Sequence, residues 1–390
     1  MTKLEQLIKE LCPNGVERKS IGEICDICRG RVMSKDYISE NKGEYPVYSS
    51  QTENNGELGR IATFDFDGEY LSWTTDGANA GTVFYRNGKF SVTNVCGLLK
   101  IKNDGLLTKY LYYTLNAEAP NHVNSGMGNP KLMSNVMAKI TIPIPPMPVQ
   151  EEIVRILDTF TELTAELTAE LTARKKQYEY YMESLLVFND TIDFVKLGEL
   201  CSLITKGTTP KKYQSSGISF VKTEAFEGTR IVPEKLSYVD EETHLGFLKR
   251  SVLQENDILI TIAGATIGKC AMVPKNILPA NTNQALAIIR LKENISHKYV
   301  LYILQSHYMK EYMHSNIKGS AQPNLNLQQL NNFYIPLPPL EEQKRIVAIL
   351  DRFDTLCNDI SDGLPAEIEG RRKQYEYYRD KLLTFKEKVN

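Results

Sequence analysis

The chain has 390 residues, of which 42% are apolar, and its formal net charge is −2. One hydrophobic core rarely organises a chain of this length, so we expect two domains of ordinary size. Because no apolar run is long enough to cross a bilayer and residues 1–11 are charged and amphipathic, we expect a cytoplasmic protein with no membrane partner.

The first globular segment is predicted to contain both strands and helices. A strand is predicted over residues 91–101, where Val, Ile and Leu are dense between turn residues, and a helix over 110–115. The seven scattered cysteines suit reduced thiols better than disulfides. Cys25 and Cys28 form one close pair, but no second pair or matching histidine completes the four ligands of a structural zinc, so we predict no metal site.

After the proline-rich residues 143–148, the apolar spacing becomes helical, and one helix is predicted from 151 to about 188. At 1.5 Å per residue it would be roughly 55–60 Å long. Within it, residues 164–167 and 168–171 repeat the sequence Thr-Ala-Glu-Leu. Each repeat would add about 6 Å and nearly keep the helix face, so it is predicted to act as a ruler. A low-complexity surface stretch is the alternative.

The second globular segment has the same character as the first. Strands are predicted over 257–262 and 285–291 and a helix over 299–313. A second proline-rich stretch at 336–339 introduces another long helical pattern. Residues 362–365, Asp-Gly-Leu-Pro, are predicted to break or kink that helix, because glycine favours a helix end and proline a helix start.

These two halves are copies of one unit. Residues 142–158 return at 335–351, and 174–181 return at 371–378. Weaker matches keep the same order, such as 77–81 with 264–268. Long helices need a partner to cover their apolar stripes, so we predict that the two pair antiparallel, as in a coiled coil.

The predicted fold class is therefore α+β, with two mixed α/β domains separated by two long antiparallel helices and related by a pseudo-twofold internal repeat. The predicted segments are a first domain over 1–148, a helix over 149–190, a second domain over 191–341 and a second helix over 342–390.

Charge is distributed unevenly along the chain. Residues 194–335 carry 16 Lys and Arg against 11 Asp and Glu, whereas residues 1–141 carry 16 of each class. Residues 150–190 carry 4 basic and 9 acidic residues. A basic domain beside an acidic helix is compatible with DNA at one surface and protein at another.

Catalytic motifs are missing from the sequence. There is no glycine-rich nucleotide loop, no nucleophile elbow, no His-Glu-x-x-His and no Asn-Pro-Pro-Tyr motif of an amino-methyltransferase. The five histidines have no metal-ligand spacing.

Polar loops are the better candidates for a function, because their side chains can pair with base edges and phosphates. Ordinary solvated loops are the alternative. The candidate DNA contacts are Ser49, Ser50, Gln51, Asn54, Asn55, Trp73, Thr75, Asn79 and Lys131 in the first domain, and Lys206, Thr208, Thr209, Lys211, Lys212, Lys222, Thr223, Asn281, Asn283, Gln322 and Asn324 in the second.

The proline-rich helix starts at 142–158 and 335–351, the Thr-Ala-Glu-Leu repeat and the paired Lys-Gln-Tyr-Glu-Tyr-Tyr blocks resemble the specificity (S) subunit of type I restriction-modification systems. The likeness covers the whole chain in order and spacing. It implies two target-recognition domains that read double-stranded DNA and two conserved helices between them. It also implies a complex with two methyltransferase (M) subunits and with restriction-translocase (R) subunits.

The resemblance further implies that this chain holds no cofactor. S-adenosylmethionine is expected on the M subunits, and ATP and magnesium on the R subunits. The outer helix faces, including the acidic stretch 158–170, are the candidates for contacting M subunits, with solvated helix surface as the alternative. The candidate interface residues are Arg155, Glu166, Glu170, Arg174, Gln177, Tyr178, Tyr181, Arg352, Arg371, Gln374, Tyr375 and Tyr378.

Two other hypotheses remain open at the level of sequence. The chain could be a coiled-coil adaptor that binds only proteins, in which case it would confer no DNA sequence preference. It could also be an enzyme without a familiar motif, in which case the purified chain alone would turn over a substrate.

Overall fold

The computed structural model describes residues 2–126, 128–187, 192–316, 324–359 and 362–388. By its internal contacts the chain divides into unit 1, which comprises Met1–Glu166 and Glu369–Asn390, and unit 2, which comprises Leu167–Ile368. Both divisions fall inside helices. The four-segment division predicted from the sequence stays a prediction. Among the described residues, no helix combines the length and hydrophobicity needed to cross a bilayer.

Unit 1 begins with a capped helix and alternates short strands and helices before the long helix α6, which begins in unit 1 and ends in unit 2. Its elements are α1 (Lys3–Leu11), β1 (Arg18–Ser20), α2 (Ile21–Ile24), β2 (Cys25–Arg29), α3 (Lys35–Glu40), β3 (Lys42–Tyr48), β4 (Glu57–Ile61), β5 (Phe66–Asp67), β6 (Tyr70–Thr74), β7 (Val83–Arg86), β8 (Lys89–Val92), β9 (Cys96–Ile101), α4 (Thr108–Glu118), α5 (Ser134–Met137), β10 (Thr141–Pro143) and α6 (Met147–Leu185).

Unit 2 repeats this order with local differences and ends in the helix α13, which continues into unit 1. Its elements are β11 (Phe194–Lys196), α7 (Leu197–Leu200), β12 (Cys201–Lys206), β13 (Ile218–Val221), β14 (Phe226–Glu227), β15 (Arg230–Ile231), β16 (Ser237–Val239), α8 (Glu241–Leu245), β17 (Ile258–Thr261), β18 (Cys270–Met272), β19 (Ala280–Thr282), β20 (Leu286–Leu291), α9 (His297–Gln305), α10 (His307–Asn316), α11 (Leu327–Asn331), β21 (Tyr334–Pro336), α12 (Leu340–Asn358) and α13 (Leu364–Leu382).

The core of each unit lies on both faces of one four-stranded antiparallel sheet. In unit 1 the sheet order is β2-β9-β6-β7, and in unit 2 it is β12-β20-β17-β18. Alternate residues of β6 point to opposite faces, so Leu71 and Trp73 pack with Tyr110 of α4, while Tyr70 packs with Phe90. In β17 of unit 2, Ile258 and Ile260 likewise pack on one face of the sheet and Leu259 on the other.

The repeated glycine segment forms the same turn in both units. The amide of Gly81 donates to the Thr74 carbonyl at 2.9 Å, and the amide of Gly268 donates to the Thr261 carbonyl at 2.8 Å. Both glycines have φ near +86°, a left-handed conformation that favours glycine. A shift of 187 positions therefore relates the hairpin β6–β7 to the hairpin β17–β18 residue by residue.

Several predicted elements are confirmed and two are divided. The strands at 257–262 and 285–291 and the helix at 110–115 correspond to β17, β20 and α4. The predicted strand 91–101 is two strands, because a turn interrupts it in which the Cys96 amide donates to the Thr93 carbonyl at 3.0 Å. The predicted helix 299–313 is α9 and α10, because Ser306 is extended and its hydroxyl accepts from the Met309 amide.

Inside each unit, the helical segments pack antiparallel. In unit 1, Phe160 of α6 stacks on Tyr378 of α13 at 5.5 Å between ring centroids. Ile144, before α6, and Lys386, after α13, both hydrogen-bond to the backbone of residues 16–17. The start of α6 therefore lies beside the end of α13.

In unit 2 the end of α6 pairs with α12 in the same sense. Tyr181 of α6 lies 5.0 Å from the ring of Phe353, and the Leu337 amide, before α12, donates to the Asp193 carbonyl, after α6. The predicted break between the two C-terminal helices is also present, since α12 ends at Asn358 and α13 begins at Leu364.

A carboxylate on each long helix attaches that helix to its globular domain. Asp158 accepts hydrogen bonds from Lys109 and from the Tyr113 hydroxyl, both at 2.6 Å. The matching residues of unit 2 are Asp351 with Lys298 and Tyr302. Because charge-assisted bonds are directional, these contacts fix how the domain sits on its own helix.

A buried glutamine adds a second matched attachment. Gln150 has no exposed surface; its amide nitrogen donates to the Pro145 carbonyl at 2.8 Å and its oxygen accepts from the Leu107 amide at 2.9 Å. The matching contacts of unit 2 join Gln343 to Pro338 and Ser296.

Candidate nucleic-acid interface

The polar loops of unit 1 converge at one end of its sheets. The Thr93 hydroxyl donates to Ser49 at 3.1 Å, which joins the loops after β3 and β8. The amide of Asn79 donates to Thr52 at 3.3 Å, which adds the loop after β6. Lys131 forms an ion pair of 3.8 Å with an aspartate of that same loop. Four loops that are distant in sequence therefore form one polar surface.

The corresponding loops of unit 2 also come together. The Thr208 amide donates to the Thr282 carbonyl at 2.9 Å, and Asn324 pairs with the residue two positions after β17. The ammonium of Lys222 lies 4.1 Å from the centroid of the Tyr213 ring and forms a cation–π contact with it. This surface is richer in lysine than its counterpart in unit 1.

Three predicted contacts are corrected, because their side chains are buried and satisfied. Trp73 has no exposed surface, and its indole nitrogen donates to the Leu132 carbonyl at 2.9 Å. Thr75 is buried and donates to the Val95 carbonyl. Asn281 is buried, and its side-chain amide oxygen lies 2.6 Å from Nδ1 of His244. A DNA base cannot reach these atoms in this structure.

Gln322 lies outside the described residues. All other predicted contacts keep an accessible side chain. The exposed residues are Asn54, Asn55, Asn79, Lys131, Lys206, Thr209, Lys211, Lys212 and Asn324, and the half-buried ones are Ser49, Ser50, Gln51, Thr208, Lys222, Thr223 and Asn283.

One segment beside the polar surface of unit 1 was not predicted from the sequence. Arg31 forms a β-bridge with Thr93, as the backbone of Thr208 bonds to Thr282 in unit 2. Gly30 permits this approach, because a Cβ atom there would lie 1.9 Å from the Val92 carbonyl oxygen. A shift of 177 positions relates Gly30 and Arg31 to Gly207 and Thr208, and it is close to the shift of 176 positions between residues 21–25 and 197–201, so the repeat contained this signal.

The helix residues predicted to contact partners divide into two groups. Tyr178 and Tyr181 pack on Phe353 inside unit 2, and Tyr375 packs near Tyr113 inside unit 1. These three tyrosines already serve their own units, which corrects their assignment to an outer face. Tyr378 stacks on Phe160 inside unit 1 but is still 41% exposed. The others also keep accessible side chains: Arg155, Glu166, Glu170, Arg174, Gln177, Arg352, Arg371 and Gln374.

The most exposed aromatic residues of the repeated blocks were overlooked. Tyr180 is 65% exposed and Tyr377 is 62% exposed, and the two occupy the same position in their copies. The repeat itself contained this signal, because a helix that buries Tyr178 and Tyr181 turns Tyr180 outward.

The cysteines have the environment of structural thiols. Burial raises the pKa of Cys25 to about 12 and also raises the pKa of Cys28. Thiols with a raised pKa are poor metal ligands and nucleophiles at neutral pH. Among the described residues, no group of three or more His, Cys, Asp or Glu side chains could hold a metal ion.

Comparison with known proteins identifies the family. A family model described as the type I restriction modification DNA specificity domain matches residues 13–174 and 189–370. The specificity subunit of the type I restriction enzymes EcoR124I and EcoR124II of Escherichia coli is 38% identical over 407 aligned positions, which cover 99% of this chain and 98% of that protein. The chain belongs to the type I specificity-subunit family.

A second relative and two solved structures agree with that family. A type I specificity subunit of Mycoplasma pneumoniae is 34% identical over 368 positions, which cover 93% of this chain and 96% of that protein. A chain from work on complex assembly and conformational transition of the type I system has a TM-score of 0.60 at 18% identity, covering 95% and 98%. The S subunit from M. genitalium has a TM-score of 0.57 at 16% identity, covering 94% of each chain. These two structures show a shared fold.

Each copy of the repeat is thus one target-recognition domain of a specificity subunit, and the two domains are arranged in tandem. A subunit of this family belongs to a DNA-recognising restriction-modification complex, so the hypothesis of a generic coiled-coil adaptor is wrong.

Proposed function

We propose that each unit reads one short DNA sequence and that the full target is asymmetric and bipartite. The support is that equivalent loops converge in both units while their side chains differ. Arg31 and Lys131 lie in the loops of unit 1, whereas Lys206, Lys211 and Lys222 lie in those of unit 2. Two domains with the same fold but different loop residues can recognise two different short DNA sequences, which we call the two words of the target.

The long helices are proposed to contact the M subunits and to determine the distance between the two words. Tyr180 and Tyr377 support the first role, because two equivalent exposed tyrosines offer one docking surface to each of two identical partners. Arg155 and Arg352 are further exposed candidates on α6 and α12.

The subunit is proposed to be non-catalytic and to act in the cytoplasm. S-adenosylmethionine would bind to the M subunits, and ATP and magnesium to the R subunits, so this chain would hold no cofactor. The sequence lacks a catalytic motif, and the buried Cys25 thiol, whose pKa is raised by burial, is not an activated nucleophile.

Mapping methylated adenines in a genome that expresses this chain with its M subunit tests the proposal. We expect one bipartite motif whose two words differ. Exchanging the loops 206–213 and 221–224 for those of another specificity subunit should change one word only. An exchange of residues 292–294, which follow β20 at the opposite end of the same sheet, is the control and should change neither word. Methylation without a motif, or a change in both words, would contradict the proposal.

A further inference from the structure

The guanidinium of Arg86 is buried in unit 1 without a carboxylate beside it. Arg86 is 2% exposed, and its Nε donates to the Ser72 hydroxyl at 3.0 Å. Neither Nη atom has a hydrogen-bond partner among the residues that the structure describes. Two aromatic rings lie against the guanidinium, whose carbon is 3.6 Å from the ring centroid of Tyr48 and 4.6 Å from that of Phe84.

The charge is retained at neutral pH. Burial lowers the pKa of Arg86 to about 10, which still leaves the group protonated near pH 7. Contacts with two aromatic rings offset only part of the free-energy cost of removing the guanidinium from water, so the buried charge lacks a full counter-charge. This distinguishes Arg86 from Trp73, which is equally buried but whose one donor is satisfied.

The fold does not require an arginine at this position. By the shift of 187 positions, Arg86 corresponds to Val273 and its partner Ser72 corresponds to Leu259. Both residues of unit 2 have no exposed surface and belong to one apolar cluster. The same hairpin is therefore stable with an apolar pair, and the buried cation of unit 1 needs a reason other than packing.

Arg86 lies directly under the candidate DNA loop after β3. Its Nη2 is 3.0 Å from the position that a Cβ atom on Gly56 would occupy. Gly56 follows Asn54 and Asn55, which are exposed, and all three residues have a left-handed backbone with φ of 49°, 53° and 77°. Asparagine and glycine are the residues that enter this region most readily, so the backbone of residues 54–56 can change between left-handed and other conformations at a modest cost.

We infer that Arg86 binds a backbone phosphate of the DNA held by unit 1, once the turn at residues 53–56 moves aside. This inference rests on the proposed function. A phosphate carries the full negative charge that the guanidinium lacks, and two Nη donors match two phosphate oxygens. A base edge is neutral and would leave the buried charge uncompensated.

The test uses the complex of this chain with its M subunits and four variants. Arg86→Met removes the charge, and Arg86→Lys keeps it. The double variant Arg86→Val with Ser72→Leu copies the apolar pair of unit 2. Arg18→Met is the matched control, because the Arg18 guanidinium already donates to the Thr141 carbonyl. Dissociation constants are measured over a range of salt concentrations for a target duplex and for a scrambled duplex.

We expect Arg86→Met to weaken binding to both duplexes by a similar factor, roughly tenfold, and to lower the slope of log K against log salt by about one. Arg86→Lys and Arg18→Met should keep the wild-type slope. The double variant should bind DNA as weakly as Arg86→Met while its thermal midpoint does not fall, because it removes an uncompensated cation.

Three results would overturn the inference. An unchanged salt slope in Arg86→Met would exclude a phosphate contact. A loss confined to the target duplex would indicate base reading. A lower thermal midpoint in the double variant with wild-type DNA binding would make Arg86 a structural residue. Failure of the proposed function is separate, because then the wild-type complex itself would not distinguish the two duplexes.

Discussion

Glu152 is a nearly buried carboxylate at the start of α6, placed between two cations of unit 1. Its side chain is 3% exposed and accepts from Arg155 at 2.6 Å and from Lys3 at 2.8 Å. Mainly through the hydrogen bond from Arg155, and further through Lys3, these contacts lower the pKa of Glu152 to about 2. The ordinary value is 4.5, so folding favours the ionised form.

A pH-dependent loss of stability follows. The contribution of Glu152 is fully present above pH 4.5 and is lost as the pH falls toward about 2. Glu152→Gln cannot titrate, so its free energy of unfolding should fall less steeply over that interval. Urea unfolding at a series of pH values measures this, with the exposed neighbour Glu151→Gln as the control. Parallel curves for wild type and Glu152→Gln would contradict the expectation.

A substitution of Trp73 tests whether this residue serves core packing or DNA recognition. Trp73→Phe removes the hydrogen bond to the Leu132 carbonyl and part of the core volume, so unit 1 should lose about 2 kcal/mol of stability. The recognised sequence should stay the same, as a methylation map would show.

Asn79→Ala is the matched comparison, because Asn79 is exposed in the next loop. It should change DNA affinity with less than about 0.5 kcal/mol of effect on stability. A changed recognition motif in Trp73→Phe would return Trp73 to the set of DNA contacts.

At the scale of elements, the attachment of each domain to its helix is the feature that repeats most faithfully. The carboxylates Asp158 and Asp351 and the glutamines Gln150 and Gln343 make matched contacts in the two units. Because equivalent residues hold both domains, each domain has the same orientation on its own helix.

Gln150 offers a test of that attachment. Gln150→Leu leaves the buried Leu107 amide and Pro145 carbonyl without their partner, so the variant should be destabilised by about 2–4 kcal/mol. Chemical denaturation measures the loss. Gln177→Leu, on the same helix but exposed, should cost less than about 0.5 kcal/mol. Equal effects of the two substitutions would show that the buried attachment contributes little.

At the scale of the whole molecule, the Thr-Ala-Glu-Leu repeat inside α6 is expected to control the distance between the two DNA words. Inserting one more unit adds about 6 Å of helix, so the unread spacer should lengthen by about one to two base pairs. Methylation mapping should show both words unchanged. Replacing residues 164–167 by Ala-Ala-Lys-Leu keeps the length and is the control. An unchanged spacer after the insertion would remove the ruler hypothesis.

The sequence by itself determined the architecture, because internal repetition and periodicity are properties of the chain. The matched segments at 142–158 and 335–351 predicted two copies, the apolar spacing predicted the long helix, and residues 362–365 predicted the break between α12 and α13. The polar segments at 49–55 and 206–212 were recognisable from their composition, but the strands that flank them, β3, β4, β12 and β13, were not predicted.

Only the tertiary structure decided which side chains of those loops are available. Trp73 and Asn281 lie in polar segments but end in the interior, because the sheet and its neighbouring loops supply their hydrogen-bond partners. Arg86 lies within a strand, where sequence patterns predict no function, yet it is buried without an anion under the loop that carries Asn54 and Asn55. Burial and the satisfaction of polar atoms depend on residues distant in sequence, and no local pattern contains them.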